Sequence, residues 1–114
     1  MENIKENNAL IAKFMGYSQE QRKPFKGTTY WWKEGDAIPK AYLTYNFDWN
    51  ALIEVVEKIE TVLPEDDIIH ISYKDCVIPL SEDGEEIWAT GSQKIEAVYN
   101  AVCQFIEWYN SKQK

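Results

Sequence analysis

The chain is poor in the residues that most often announce chemistry. Its 114 residues hold one histidine, two cysteines and five glycines, and no apolar run approaches the ~20 residues that a membrane-spanning helix needs. With His70 as the single histidine, a two-histidine metal site is impossible. Cys76 and Cys103 both lie in apolar segments and read as reduced core thiols. The glycines stand alone at turns, which excludes a phosphate-cradling loop, a dinucleotide fingerprint and a nucleophile elbow. The opening MENIKENN has no apolar run behind a basic start, so no signal peptide is expected and the expected location is cytoplasmic. Basic residues are in deficit too: 12 Lys and Arg face 19 Asp and Glu, a net charge of −7. That field repels phosphate backbones and anionic membranes, although Lys13, Arg22, Lys23 and Lys26 make one stretch locally basic.

What is present is core-forming material. Hydrophobic residues make up 45% of the chain, and five Trp with seven Tyr supply much apolar area per residue. The length fits a single globular domain, residues 1–114, that needs no disulfide or metal to hold its core.

Ser92–Asn110 carries the strongest pattern. Ile95, Val98, Tyr99, Val102, Phe105, Ile106 and Tyr109 recur at helical spacing, and Ala97, Ala101 and Trp108 form a second patch beside them. Glu96, Asn100, Gln104 and Glu107 keep a narrow wet side. Such a helix is wedged between elements or meets a partner; internal packing, against the first helix for instance, is the favoured account.

The first helix is expected over Ile4–Met15, closed by Gly16, with Leu10, Ile11, Phe14 and Met15 as its apolar patch. Ser18–Gly27 is polar, contains Pro24 and reads as a loop. Thr28–Lys33 is β-branched and aromatic and predicts a strand, with Tyr30 and Trp32 on one face and Trp31 on the other. After a turn at Glu34-Gly35-Asp36, Lys40–Tyr45 is the expected partner strand. A second helix starts at Asn46 or Asp48 and runs to Leu63, burying Trp49, Leu52, Ile53, Val56, Ile59 and Leu63, with Glu60 anomalously inside that arc. Three strands follow, Ile68–Tyr73, Cys76–Leu80 and Glu86–Thr90, the last two joined by an Asp83-Gly84 hairpin signal. The order is α-ββ-α-βββ-α. It predicts an α+β fold, a layered αβα-type sandwich of three helices and a largely antiparallel sheet.

Chemistry-bearing groups are sparse. His70 with Asp66, Asp67 and Asp75 could be imagined as a metal or enzyme site, but the spacing matches no ligand pattern, and a strand histidine is the simpler account. Nothing marks either cysteine as a reactive thiol. Glu82, Asp83, Glu85 and Glu86 crowd one turn and read as a solvated loop. Tyr30, Trp31, Trp32, Tyr42, Tyr45, Phe47 and Trp49 are dense enough for a stacking platform, with core and cover as the plainer reading. No catalytic, cofactor-binding or metal residue is assigned. The candidate partner-contact residues are Ala97, Ala101, Trp108 and Trp31.

Leu10–Gly16 (LIAKFMG), Asn46–Glu60 (NFDWNALIEVVEKIE) and Lys94–Asn110 (KIEAVYNAVCQFIEWYN) together carry a resemblance. They resemble a family of small proteins from Bacteroidetes genomes and their phages, described as a phage α/β/α sandwich domain. The resemblance spans nearly the whole chain, is most specific in its first and last segments, and is weakest over Ser18–Gly27. It implies an αβα sandwich of phage or prophage origin and brings no catalytic or binding residue with it. The expected function is a non-enzymatic accessory protein that binds a protein partner or itself. The alternative is an acidic nucleic-acid mimic that inhibits a host nucleic-acid enzyme, which requires its carboxylates in one stripe; a metal-dependent enzyme using His70 stands third.

Overall fold

The structure is a computed structural model that describes residues 4–21, 29–33, 36–39, 43–64, 67–80 and 85–112. The chain divides into two compact units, Met1–Thr44 and Tyr45–Lys114. Among the described residues the fold is mixed α+β, with three helices and antiparallel strands, as the hydrophobic periodicity implies.

The first unit opens with α1, Ile4–Phe14, which buries Asn8, Ile11 and Ala12. Gly16, at φ 101°, ends the helix in the left-handed conformation that glycine adopts without strain. There the Gly16 N–H donates to the Lys13 carbonyl at 3.0 Å and the Tyr17 N–H to the Ala12 carbonyl at 3.0 Å, the paired bonds of a Schellman cap. Buried Asn8 is satisfied in the same unit: its Nδ2 donates to the Leu43 carbonyl at 3.1 Å.

The described part of this unit also holds three antiparallel strands in the order β1-β2-β3: β1 at Ser18–Gln21, β2 at Thr29–Lys33 and β3 at Asp36–Pro39. Two expectations are corrected here. The start of the presumed loop, Ser18–Gln21, is a strand paired from Ser18↔Trp32 to Gln21↔Thr29. SQEQ has little strand preference of its own, so only pairing with β2 selects that conformation. The partner of β2 on its other side is Asp36–Pro39, not Lys40–Tyr45. Lys33 pairs with Asp36 and Tyr30 with Pro39, so the returning strand begins pairing at Asp36, ahead of the expected Lys40. Pro39 is tolerated because β3 lies at the sheet edge. Lys40, Ala41 and Tyr42 fall outside the described residues.

In the second unit, α2 spans Trp49–Val62. Asp48 is its cap, its carboxylate accepting from the Asn50 N–H at 2.9 Å and the Ala51 N–H at 3.4 Å. Leu63 turns extended ahead of Pro64 and ends the helix. The buried side is Leu52, Val55, Val56 and Ile59; Trp49 and Ile53, expected inside, are exposed. The inward direction is thus rotated toward Val55. Trp49, Ile53 and Glu60 fall together on the trailing edge, which also explains why a glutamate stands in that arc.

The second sheet, in the order β4-β5-β6, consists of β4 at His70–Ile71, β5 at Asp75–Pro79 and β6 at Glu86–Thr90. The expected strand Ile68–Tyr73 shrinks to two residues. The Asp67 N–H is turned back onto the Pro64 carbonyl at 2.9 Å, and the Ser72 N–H reaches the Asp75 carbonyl at 2.9 Å as the chain reverses. The final helix, α3, runs Lys94–Lys112 and packs against β5 and β6, while α2 packs against α3. Its buried set is Ala97, Val98, Tyr99, Ala101, Val102, Cys103, Phe105 and Ile106, the wide arc that the sequence pattern implies.

Strand and helix meet closely at Gly91. A Cβ there would lie 2.7 Å from the Ala97 backbone nitrogen and 2.8 Å from the Glu96 Cβ. The Gly91 N–H also donates to the Lys74 carbonyl at 3.1 Å, holding this corner to the start of β5.

Candidate functional site

The register of the second sheet sets a row of side chains across all three strands. His70 pairs with Val77, and Val77 pairs with Trp88. Residues directly opposite in an antiparallel ladder project to the same side, so His70, Val77 and Trp88 share one face. Asp75 opposite Thr90 and Pro79 opposite Glu86 flank the row on that face. The reverse face carries Cys76, Ile78, Ile87 and Ala89, all buried on the side of α3.

The first face is open. Trp88 is 66% exposed and His70, Glu86 and Thr90 are exposed, while Asp75, Val77 and Pro79 are half-buried. Ile68 and Tyr73, which bracket β4 in the chain, are exposed as well. The Lys74 ammonium sits 5.1 Å from the centroid of the Tyr73 ring. Isolated exposed apolar residues are ordinary; here an exposed indole stands beside a half-buried valine at the middle of a sheet face. Strand alternation carries the signal for it: in Glu86–Thr90 the tryptophan is in phase with Glu86 and Thr90 and out of phase with Ile87 and Ala89. The sequence reading assigned that strand without singling out Trp88.

His70 and Asp75 do come to the same face, two positions apart along the ladder, and Asp66 lies outside the described residues. Among the described residues no three His, Cys, Asp or Glu side chains are grouped to hold a metal ion. The thiols are quenched by their surroundings. Burial pushes Cys76 up to about 11. Burial, with the Glu107 carboxylate adding, pushes Cys103 up to about 12 despite a hydrogen bond from Tyr99 that acts the other way. Burial likewise raises the Tyr99 phenol above its ordinary range. Both cysteines are therefore protonated at neutral pH and are weak nucleophiles. Glu96 is committed to the start of α3, where it accepts from the Ser92 N–H at 2.6 Å and the Ser92 hydroxyl at 2.7 Å, bonds that lower its pKa.

The expected partner-contact residues are revised. Ala97 and Ala101 are fully buried within the chain and cannot touch a partner, because their side of α3 is closed by packing. Trp108 is half-buried, its ring 5.7 Å from that of Phe105 and 5.7 Å from the Lys112 ammonium. The side chain of Trp31 lies outside the described part of the chain, as do those of Tyr30, Trp32 and Tyr42. Of the remaining aromatics in that dense stretch, Tyr45 is buried whereas Phe47 and Trp49 are exposed. The described carboxylates of the second unit are dispersed: Asp48, Glu54, Glu57 and Glu60 at α2, Asp67 ahead of β4, Asp75, Glu85 and Glu86 at the second sheet, and Glu96 and Glu107 on α3. No helix among the described residues is long and apolar enough to cross a membrane.

Comparison of the chain with known protein families, with curated proteins and with solved structures yields no match.

Proposed function

We propose that this chain is a non-enzymatic accessory protein that acts by binding another protein through the open face of the β4-β5-β6 sheet. The carrying observation is Trp88, 66% exposed and opposite Val77 at the centre of that face. Tryptophan is among the side chains most enriched at binding hot spots, because one ring brings much apolar area at little entropic cost. The reading includes a cytoplasmic location, supported by two buried free thiols. It also includes a phage or prophage origin, supported by the resemblance of Leu10–Gly16 and Lys94–Asn110 to that family.

The test is capture from a bacterial host lysate with three forms of the protein: wild type, Trp88→Ala, and Ile53→Ala on the exposed edge of α2. The expected outcome is one specific partner retained by wild type and Ile53→Ala and lost with Trp88→Ala, with all three forms melting alike. Repeated recovery of no partner, or a partner held equally by Trp88→Ala, overturns the proposal.

A further inference from the structure

We infer that the occupant of this face is a cationic protein segment, one that places arginine or lysine over Trp88 and at both ends of the sheet; this rests on the protein-binding reading above. Charge complementarity carries the inference. The seven strand positions on the open face are His70, Asp75, Val77, Pro79, Glu86, Trp88 and Thr90, which include two carboxylates and no lysine or arginine. The exposed neighbours Lys74 and Glu85, of opposite charge, are each one position out of phase with this face and are not counted with it.

The arrangement of the acids matters as much as their number. Asp75 lies opposite Thr90 and Pro79 opposite Glu86, so the carboxylates stand at opposite ends of the ladder with the indole between them. Four strand positions separate those ends, about 13 Å at the usual rise of an extended chain. An extended segment with basic residues at alternate positions matches that spacing, its outer cations meeting Asp75 and Glu86 and its middle one lying on the ring. An exposed indole face attracts a cation through its quadrupole, more strongly as the pair is desolvated. The protein already uses this contact on its own surface, at Lys74 over Tyr73 and at Lys112 over Trp108. Trp88 has no such lysine among the described residues.

The same charges select against other occupants. Phosphate backbones meet carboxylates at both ends of the face. A second copy brings another net charge of −7 and the same acids.

The probe is a synthetic peptide of alternating arginine and serine, titrated into the isotope-labelled full chain and followed by amide and indole chemical shifts. Control peptides carry glutamine or glutamate in place of arginine. Shifts are expected at Trp88, Val77 and His70 with the arginine peptide alone. Trp88→Ala is expected to weaken binding about fivefold or more, and Asp75→Asn with Glu86→Gln to weaken it further, whereas Glu54→Gln with Glu57→Gln on α2 leaves it unchanged. Shifts spread equally onto α2, equal binding of the glutamine peptide, or no binding overturns the inference. So does a dimer in sedimentation that Trp88→Ala dissolves, which would assign the face to a second copy. If the peptide fails while a lysate partner still depends on Trp88, the cationic occupant alone is wrong; if both fail, the binding reading falls with it.

Discussion

The two faces of β5 and β6 are drawn alternately from the same two strands, yet their fates are opposite. Cys76, Ile78, Ile87 and Ala89 are shut away on the side of α3, while Asp75, Val77, Pro79, Glu86, Trp88 and Thr90 look outward. Hydrophobicity alone does not separate these sets, since the largest apolar ring is on the outer one. The inner set differs in holding no charge and no ring, which suits a sheet that a helix approaches closely enough to leave no room for a Cβ at Gly91. A slip of one residue would exchange the faces and drive an indole under α3. The difference teaches that burial under α3 constrains the inner face, whereas the outer face tolerates an indole that folding does not bury.

That contrast can be broken most severely from inside. Val102→Asp, placing a charge at a fully buried position of α3, is expected to abolish folding, read as loss of the far-ultraviolet helical signal. Ile78→Ala on the inner face should cost about 2–5 kcal/mol in denaturant unfolding, against well under half of that for Val77→Ala one position away. Gly91→Ala should cost about 1–3 kcal/mol, because the Ala97 backbone nitrogen at 2.7 Å cannot move aside as a side-chain tip can.

Alkaline pH probes the inner side without mutation. Cys76 and Cys103 are raised from 9.0 to about 11 and about 12 in the folded state, so between those values the unfolded chain releases protons that the folded chain keeps. Their contribution is complete below pH 9 and is lost as the pH rises toward the folded values. Stability should therefore fall by roughly 2 kcal/mol between pH 8 and pH 10, and Cys76→Ala with Cys103→Ala should flatten that slope. The smallest effect belongs to the outer face: Trp88→Ala should change unfolding free energy by no more than about 0.5 kcal/mol. A large loss there would make Trp88 a structural residue and erase the contrast.

Much of this organisation was legible from the residues. The arc of α3 was readable because eight of its positions obey one helical period without interruption. Gly16 and Asp48 announced their caps because each residue type has a local chemical reason to be there. What escaped was decided by pairing rather than by local preference. Ser18–Gln21 is a strand because β2 offers it a ladder, and β3 lies at Asp36–Pro39 because the ladder starts with Lys33 against Asp36. On α2, Trp49 and Ile53 fit an apolar arc as well as Val55 does, and only packing chooses between the two edges. For the candidate site, the alternation in Glu86–Thr90 already assigned Trp88 to the polar side. The sequence could not show that Val77 and His70 would stand in line with it, since register is a property of three strands together.

Gly91 has a consequence for how the second unit comes apart. A corner where helix backbone abuts strand backbone cannot loosen by side-chain rearrangement, so β5, β6 and the first turn of α3 must separate in one event or stay closed. Its amide proton should exchange with deuterated solvent at the pace of whole-unit opening, far more slowly than amides at the frayed ends of the helices.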